Sequence, residues 1–135
     1  QPSFKKYSSL VLQNMRILVE SLQKYDFDLV TGGSDNHLAL IDLQNKNIIG
    51  ADFECALEKA GITVNKNSVP GDDKPATITS GIRIGTPAIT TRGMGPAEMQ
   101  RIAEMINTVA ENMNNEKKLA EIELEVHQMC SRFPI

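Results

Sequence analysis

The sequence has 135 residues, of which 41% are hydrophobic and 23% are charged. This is the composition of an ordinary globular protein, and it excludes a disordered tail. The longest apolar runs, such as Leu38–Ile41, are far shorter than the about 20 residues of a membrane-spanning helix. The net charge of −3 argues against a general nucleic-acid binder. The length is consistent with one domain, residues 1–135, and the start at Gln1 rather than Met predicts a processed chain or part of a longer protein.

The net positive charge is confined to the middle of the sequence. Residues 61–95 carry a net +2, whereas residues 1–60 and 96–135 carry −2 and −3. The same segment is rich in Gly, Pro, Thr and Asn. This distribution favours a small anionic ligand in the central segment.

Hydrophobic periodicity predicts four helices. Apolar residues recur at spacings of three and four over residues 4–24, and a shorter helix over 51–60 is closed by Gly61. A third helix begins at Pro96, which suits the first helical position, and Asn114–Asn115 interrupts the pattern. The last helix is predicted over residues 116–132.

Strands alternate with these helices. Residues 28–31 and 37–43 predict a hairpin around the turn-forming residues 32–36, and residues 62–64 and 80–84 predict two more strands, with a loop over 68–79 between them. We therefore expect an α/β domain of the two-layer α+β kind, in which helices cover one face of a small, mostly antiparallel sheet.

The cysteines and histidines do not form a metal or disulfide pattern. Cys55 and Cys130 lie 75 residues apart, and His37 and His127 lie 90 residues apart. No metal site is expected from these spacings. Both cysteines lie in helical patterns, which predicts buried free thiols in a reducing compartment. The sequence also lacks a nucleophile elbow, a phosphate-binding glycine loop and an HExxH motif.

The strongest candidate for a binding residue is Arg83. In a strand, Ile82 and Ile84 face one side, while Gly81, Arg83 and Gly85 face the other. An arginine between two glycines leaves room for a small ligand beside a guanidinium fork, which suits a carboxylate or phosphate. The alternative is that Arg83 pairs with a nearby Asp and the glycines serve packing.

A second candidate is the polar triplet Asn65–Asn67 (Asn-Lys-Asn), which follows the apolar residues 62–64. Side-chain amides both donate and accept hydrogen bonds, which suits the edge of a heterocycle. The alternative is a polar strand end that caps the following loop.

Three segments together resemble a known family. Val30–Leu38, Ile62–Asp72 and Ser80–Gly93 are similar, in order and spacing, to the C-terminal small domain of the serine hydroxymethyltransferase family, and residues 2–7 resemble its lead-in helix. The resemblance implies a fold-type I pyridoxal-phosphate enzyme. It also implies the reaction of this family, which interconverts serine plus tetrahydrofolate with glycine plus 5,10-methylene-tetrahydrofolate.

The resemblance also implies roles for individual residues. Arg83 matches the arginine that binds the substrate carboxylate, and Asn67 matches the asparagine that contacts the pteridine ring of folate. Lys66 lies beside it, and the loop residues Pro75, Ala76 and Thr77 border the folate pocket. Many family members carry an aromatic residue in that loop, and this sequence does not. Arg92 matches a family position to which we assign no ligand.

The resemblance places the catalytic centre elsewhere. The lysine that forms the Schiff base follows a run of threonines and a histidine in the large domain, and no such run occurs here. We therefore expect this chain to hold no catalytic, cofactor-binding or metal-binding residue, and to be inactive without the large domain. The implied partners are that domain, serine or glycine, tetrahydrofolate and a second copy in a dimer or tetramer, with neither nucleic acid nor membrane.

Other assignments remain open from the sequence. The implied location is cytoplasmic, with a mitochondrial form as the alternative. The chain could be the small domain of another fold-type I pyridoxal-phosphate enzyme, although the Asn-Lys-Asn triplet favours folate chemistry. It could also be a free-standing anion-binding or dimerisation module.

Overall fold

A computed structural model describes residues 2–30, 38–85 and 95–132. Within these ranges the chain forms four α-helices, four strands and one short 3₁₀ turn. The helices are α1 (Pro2–Lys24), α2 (Gly50–Lys59), α3 (Pro96–Glu111) and α4 (Glu116–Arg132), and the 3₁₀ turn is Gln44–Lys46. The strands are β1 (Asp28–Leu29), β2 (Leu38–Asp42), β3 (Asn65–Asn67) and β4 (Gly81–Gly85).

The strands form one antiparallel sheet in the order β1-β2-β4-β3. The register places Ala39 opposite Ile84 and Ile41 opposite Ile82. All four of these side chains are buried, so they define the inner face of the sheet. Helix α1 packs on β1 and β2, and α2 packs on β3 and β4. The predicted two-layer α+β architecture is therefore confirmed.

The helices bury the apolar stripes that the sequence predicted. Met15, Leu18 and Leu22 of α1 are fully buried, as are Met99 and Ile106 of α3. The rings of Phe27 and Phe53 stack with centroids 6.3 Å apart, which joins the start of β1 to α2. None of the helices in the described ranges is both long enough and apolar enough to cross a membrane.

Two local predictions are wrong. Residues 62–64 form no strand; β3 begins three residues later, where Asn65–Asn67 pairs with β4. Val64 is buried and Ile62 packs against the core, so these residues contribute packing without backbone pairing. Both cysteines are free, but Cys55 is exposed and Cys130 is only half-buried. The turn of the predicted hairpin lies outside the described residues.

Candidate functional site

Strand β4 divides its side chains between the two faces of the sheet. Ile82 and Ile84 are 0% and 3% exposed and face the helices. Arg83 is exposed on the opposite, outer face, as the alternation predicted. It lies directly opposite Leu40 of β2 on one side and Asn65 of β3 on the other. The guanidinium group is therefore presented by the middle of a strand that is paired on both edges.

Asn67 shares the outer face with Arg83. The register pairs Asn65 with Arg83 and Asn67 with Gly81, so both asparagines of the triplet point to the outer side. Asn67 is half-buried, and its Nδ2 donates a hydrogen bond to the Ser68 carbonyl oxygen at 2.9 Å. The sheet thus brings together two of the residues that the sequence singled out, although they are 16 positions apart in the chain.

The outer face also carries carboxylates, on the side nearer β1. Asp28 and Asp42 lie opposite each other, and Asp42 is opposite Gly81 on β4. The Asp42 carboxylate accepts a hydrogen bond from the Gln44 N–H at 3.0 Å. In the described part of the chain no ion pair joins Arg83 to either carboxylate. The alternative interpretation, a pair between Arg83 and a nearby Asp, is therefore not found in these residues.

Lys66 lies on the inner side of the sheet, away from Arg83 and Asn67. It is opposite the buried Ile82, and its ammonium lies 3.5 Å from a carboxylate oxygen of Glu54 on α2. The other Glu54 oxygen accepts a hydrogen bond from the Lys66 backbone N–H at 2.8 Å. This contact anchors β3 to α2, and it is a role that the sequence reasoning missed.

Gly81 does not leave the open space that the sequence suggested. A Cβ atom at this position would lie 2.6 Å from the Ile41 carbonyl oxygen and 2.6 Å from a methyl group of Val69. It would also lie 3.0 Å from the Asn67 carbonyl oxygen. At Gly81 the packing interpretation is therefore the right one, because neighbouring backbone fills the space beside the strand.

The loop between β3 and β4 is organised by Asp72. Its Oδ2 accepts hydrogen bonds from the backbone N–H groups of Val69 (3.2 Å) and Ser80 (2.8 Å). Its Oδ1 accepts from the Lys74 N–H (3.0 Å) and the Ser80 hydroxyl (2.8 Å). The Lys74 N–H contributes most to lowering the pKa of Asp72 to about 2 from its usual 3.8, burial opposes the shift, and Ser80 and Val69 add to it.

The loop residues Pro75, Ala76 and Thr77 are exposed at a turn beside the start of α2. The Pro75 carbonyl oxygen accepts hydrogen bonds from Ile78 and Thr79, whose own carbonyl oxygens accept from the first N–H groups of α2. Within the described ranges no hydrogen bond joins these three residues to Asn67 or Arg83. Arg92 lies outside those ranges.

The described strands present no free lysine for a pyridoxal-phosphate site. Lys66 is the one lysine in the four strands, and its ammonium is paired with Glu54. The ammonium groups of Lys46 and Lys74 are likewise hydrogen-bonded, to the Tyr25 carbonyl and the Ser80 hydroxyl. No lysine of the sheet is therefore directed to the face that carries Arg83. Nor does the described structure hold a group of three His, Cys, Asp or Glu side chains that could bind a metal ion.

Two depressions on the described surface lie away from Arg83 and Asn67. A depression of about 400 Å³ lies between α3 and α4, beside Arg101 and Glu125. A second, of about 390 Å³, lies beside Ile49 and Lys74. Neither of these two depressions includes Arg83 or Asn67.

The described residues define a small α+β domain with an exposed arginine and amide side chains on the outer face of its sheet. The family model for serine hydroxymethyltransferase matches residues 1–106. A curated relative, the serine hydroxymethyltransferase of Coxiella burnetii (strain CbuG_Q212), is 44% identical over 135 residues. That match covers 100% of this chain and 32% of the relative, so the chain spans about a third of the relative's length. The chain belongs to the serine hydroxymethyltransferase family, which excludes another family of fold-type I enzymes.

Proposed function

We propose that this chain is the C-terminal small domain of a serine hydroxymethyltransferase. The complete enzyme would interconvert serine plus tetrahydrofolate with glycine plus 5,10-methylene-tetrahydrofolate. The observation that carries the proposal is the shared outer face of β3 and β4, where Asn67 lies opposite Gly81 and is thus a diagonal neighbour of Arg83. One is a fixed cation and the other a neutral amide, which matches a carboxylate and a heterocycle as neighbouring ligands.

Arg83 is assigned to the carboxylate of serine or glycine. A guanidinium group presents parallel N–H donors that match both oxygens of a carboxylate. The described residues give Arg83 no competing ion pair, so its charge is available to an incoming anion. The Arg83 backbone is held by strand pairing on both sides, which fixes the direction in which the guanidinium group leaves the sheet.

Asn67 is assigned to the pteridine ring of tetrahydrofolate. It lies at the end of β3, two residues along the strand from the neighbour of Arg83. Pro75, Ala76 and Thr77 are exposed and are proposed to border the folate pocket from the loop. For Lys66 we propose an indirect contribution to folate binding. Its side chain is held by Glu54 on the other side of the sheet, so it would act by fixing the position of β3.

The remaining groups would come from the rest of the enzyme. The family is generally dependent on pyridoxal phosphate, which supplies an electron sink for the amino acid when it is bound. The residues that hold it are proposed to belong to a large domain that lies against the Arg83 face. We further propose a cytoplasmic enzyme that forms dimers or tetramers.

Replacement of Asn67 by Ala in the full-length protein tests the folate assignment. The KM for tetrahydrofolate should rise by about two- to tenfold, since a lost hydrogen bond to a neutral group costs about 0.5 to 1.5 kcal/mol. The KM for serine should stay nearly unchanged. Asn65→Ala is the matched control, because it removes the same amide from the same strand and face.

Two results would contradict the proposal. Equal losses for serine and tetrahydrofolate in Asn67→Ala would indicate a structural role for the end of β3. If the purified full-length protein did not interconvert serine and glycine with tetrahydrofolate, the result would favour the alternative of a free-standing anion-binding or dimerisation module.

A further inference from the structure

The Asp72 carboxylate joins the two ends of the loop that separates Asn67 from Arg83. One of its donors, Val69, lies two residues after Asn67, and another, Ser80, lies three residues before Arg83. Oδ2 accepts both of these backbone N–H groups, so one oxygen atom closes the loop across its base. The hydroxyl of Ser80 adds a second bond to the same strand through Oδ1.

The base of the loop is also where β3 ends against β4. Asn67 is opposite Gly81, and the Val69 side chain lies against Gly81 at a distance that only a glycine accepts. Ser80 is tied in turn to the strand beyond, because its carbonyl oxygen accepts the Leu43 N–H at 2.8 Å. The Asp72 bonds therefore connect the end of β3 to the paired strands β4 and β2.

We propose that Asp72 is a positioning residue for tetrahydrofolate binding, which acts by fixing the end of β3, and hence Asn67, against β4. This inference rests on the proposed function, because it assumes that Asn67 contacts the folate. Asp72 itself touches no ligand in this account. Its role passes through Val69 on one side and Ser80 on the other.

The two candidate ligand contacts depend on Asp72 to different degrees. Arg83 lies in the middle of β4, where Leu40 and Asn65 pair with it from both sides. Asn67 is the last residue of a three-residue edge strand that pairs only with β4 in the described structure. Loosening the loop should therefore displace Asn67 more than Arg83. Tetrahydrofolate binding should suffer while serine binding is retained.

The test compares Asp72→Asn with Asp73→Asn in the full-length enzyme loaded with pyridoxal phosphate. The substitutions remove the same charge at adjacent positions, but Asp73 is 86% exposed and its carboxylate only approaches Lys74, at 3.8 Å. An amide cannot accept all four bonds, because its nitrogen faces donors where the carboxylate had an oxygen. We expect Asp72→Asn to raise the KM for tetrahydrofolate about fivefold, with the serine KM within about twofold. Asp73→Asn should change neither.

A milder variant and a second measurement guard against a failure to fold. Ser80→Ala removes only the hydroxyl bond to Oδ1 and should raise the tetrahydrofolate KM about twofold. In Asp72→Asn, hydrogen–deuterium exchange should speed up in peptides covering residues 65–82, but not in peptides from α3. This readout needs no activity.

Several outcomes would overturn the inference. One is a lower melting temperature with an unchanged tetrahydrofolate KM, which would make Asp72 merely structural. Equal rises in the KM for serine and the KM for tetrahydrofolate would also contradict it. So would an unchanged tetrahydrofolate KM in both Asp72→Asn and Ser80→Ala. A full-length protein that does not interconvert serine and glycine with tetrahydrofolate would refute both the proposed function and the positioning role of Asp72. An active enzyme whose Asp72→Asn variant binds tetrahydrofolate normally refutes only the positioning role.

Discussion

Replacing Arg83 should weaken substrate binding strongly while changing the free energy of unfolding little. In the described structure Arg83 is exposed and has no ion pair, so its removal leaves no unpaired charge inside this domain. Exposed substitutions of this kind usually change the free energy of unfolding by no more than about 0.5 kcal/mol. In the closed enzyme the same residue would face a carboxylate, and removing one partner of a buried charge pair costs about 3 to 5 kcal/mol. At about 1.4 kcal/mol per decade, this is two to four orders of magnitude in kcat/KM for serine.

Arg83→Lys is the sharper of two variants, because lysine keeps the charge but loses the planar fork. We expect Arg83→Ala and Arg83→Lys both to lose serine and glycine affinity, while cofactor content and melting temperature stay near those of the unaltered enzyme. Isothermal titration with glycine and the absorbance of bound pyridoxal phosphate measure the two properties separately. Near-normal glycine affinity in Arg83→Lys would refute the carboxylate assignment. A large fall in melting temperature would instead show that Arg83 has a structural partner.

Two further predictions concern the stability of the chain of residues 1–135, followed by urea unfolding. Because the pKa of Asp72 is about 2 in the folded chain against a usual 3.8, its contribution to stability is complete above about pH 5 and is lost as the pH falls toward 2. The stability difference between the unaltered chain and Asp72→Asn should therefore shrink between pH 5 and pH 2.5, and a constant difference would contradict the assignment. Ile82→Ala, at a fully buried site, should cost about 2 to 5 kcal/mol, whereas Ile78→Ala, at a 38% exposed site, should cost less than about 1 kcal/mol.

Sequence reasoning worked best where one side-chain pattern decides the structure. The helix over residues 116–132 was predicted at its observed bounds, because its periodic apolar residues and the Asn114–Asn115 break are both local signals. The alternation around Arg83 likewise predicted which side of the strand faces the core. The exposure of Cys55 could have been found in the same way. It lies between Phe53 and Leu57, both buried, and off the stripe that they define on α2.

The rest depended on contacts between distant segments. The apolar residues 62–64 predicted a strand, but pairing is set by the register with β4, which selects the polar residues Asn65–Asn67 instead. That same register puts Asn67 on the face that carries Arg83 and Lys66 on the opposite face, where it meets Glu54. Neither relation can be obtained from spacing along the chain. The role of Asp72 was missed for the same reason, since its four donors are spread over 12 residues of loop.

Gly81 offers a test of whether the space beside β4 belongs to a ligand or to the fold. If it were ligand space, Gly81→Ala would lower serine affinity and leave stability alone. The structure predicts the reverse order of effects, because the new methyl group would meet the Ile41 carbonyl oxygen and Val69 at 2.6 Å. Backbone that is paired in a sheet cannot retreat cheaply, so we expect a loss of about 1 to 3 kcal/mol in the free energy of unfolding.

Gly71→Ala is the comparison, since it adds the same methyl group in the loop that leads into β4. No atom lies within 4 Å of the new Cβ, but the residue has φ +74°, a conformation that costs a non-glycine residue about 1 kcal/mol. Restriction of the unfolded chain by alanine offsets part of this cost. Urea unfolding of both variants should therefore show a clearly larger loss at Gly81 than at Gly71. Equal stabilities of the two variants, together with weakened glycine binding in the full-length Gly81→Ala enzyme, would indicate that the space beside Gly81 is occupied by the ligand and not by the fold.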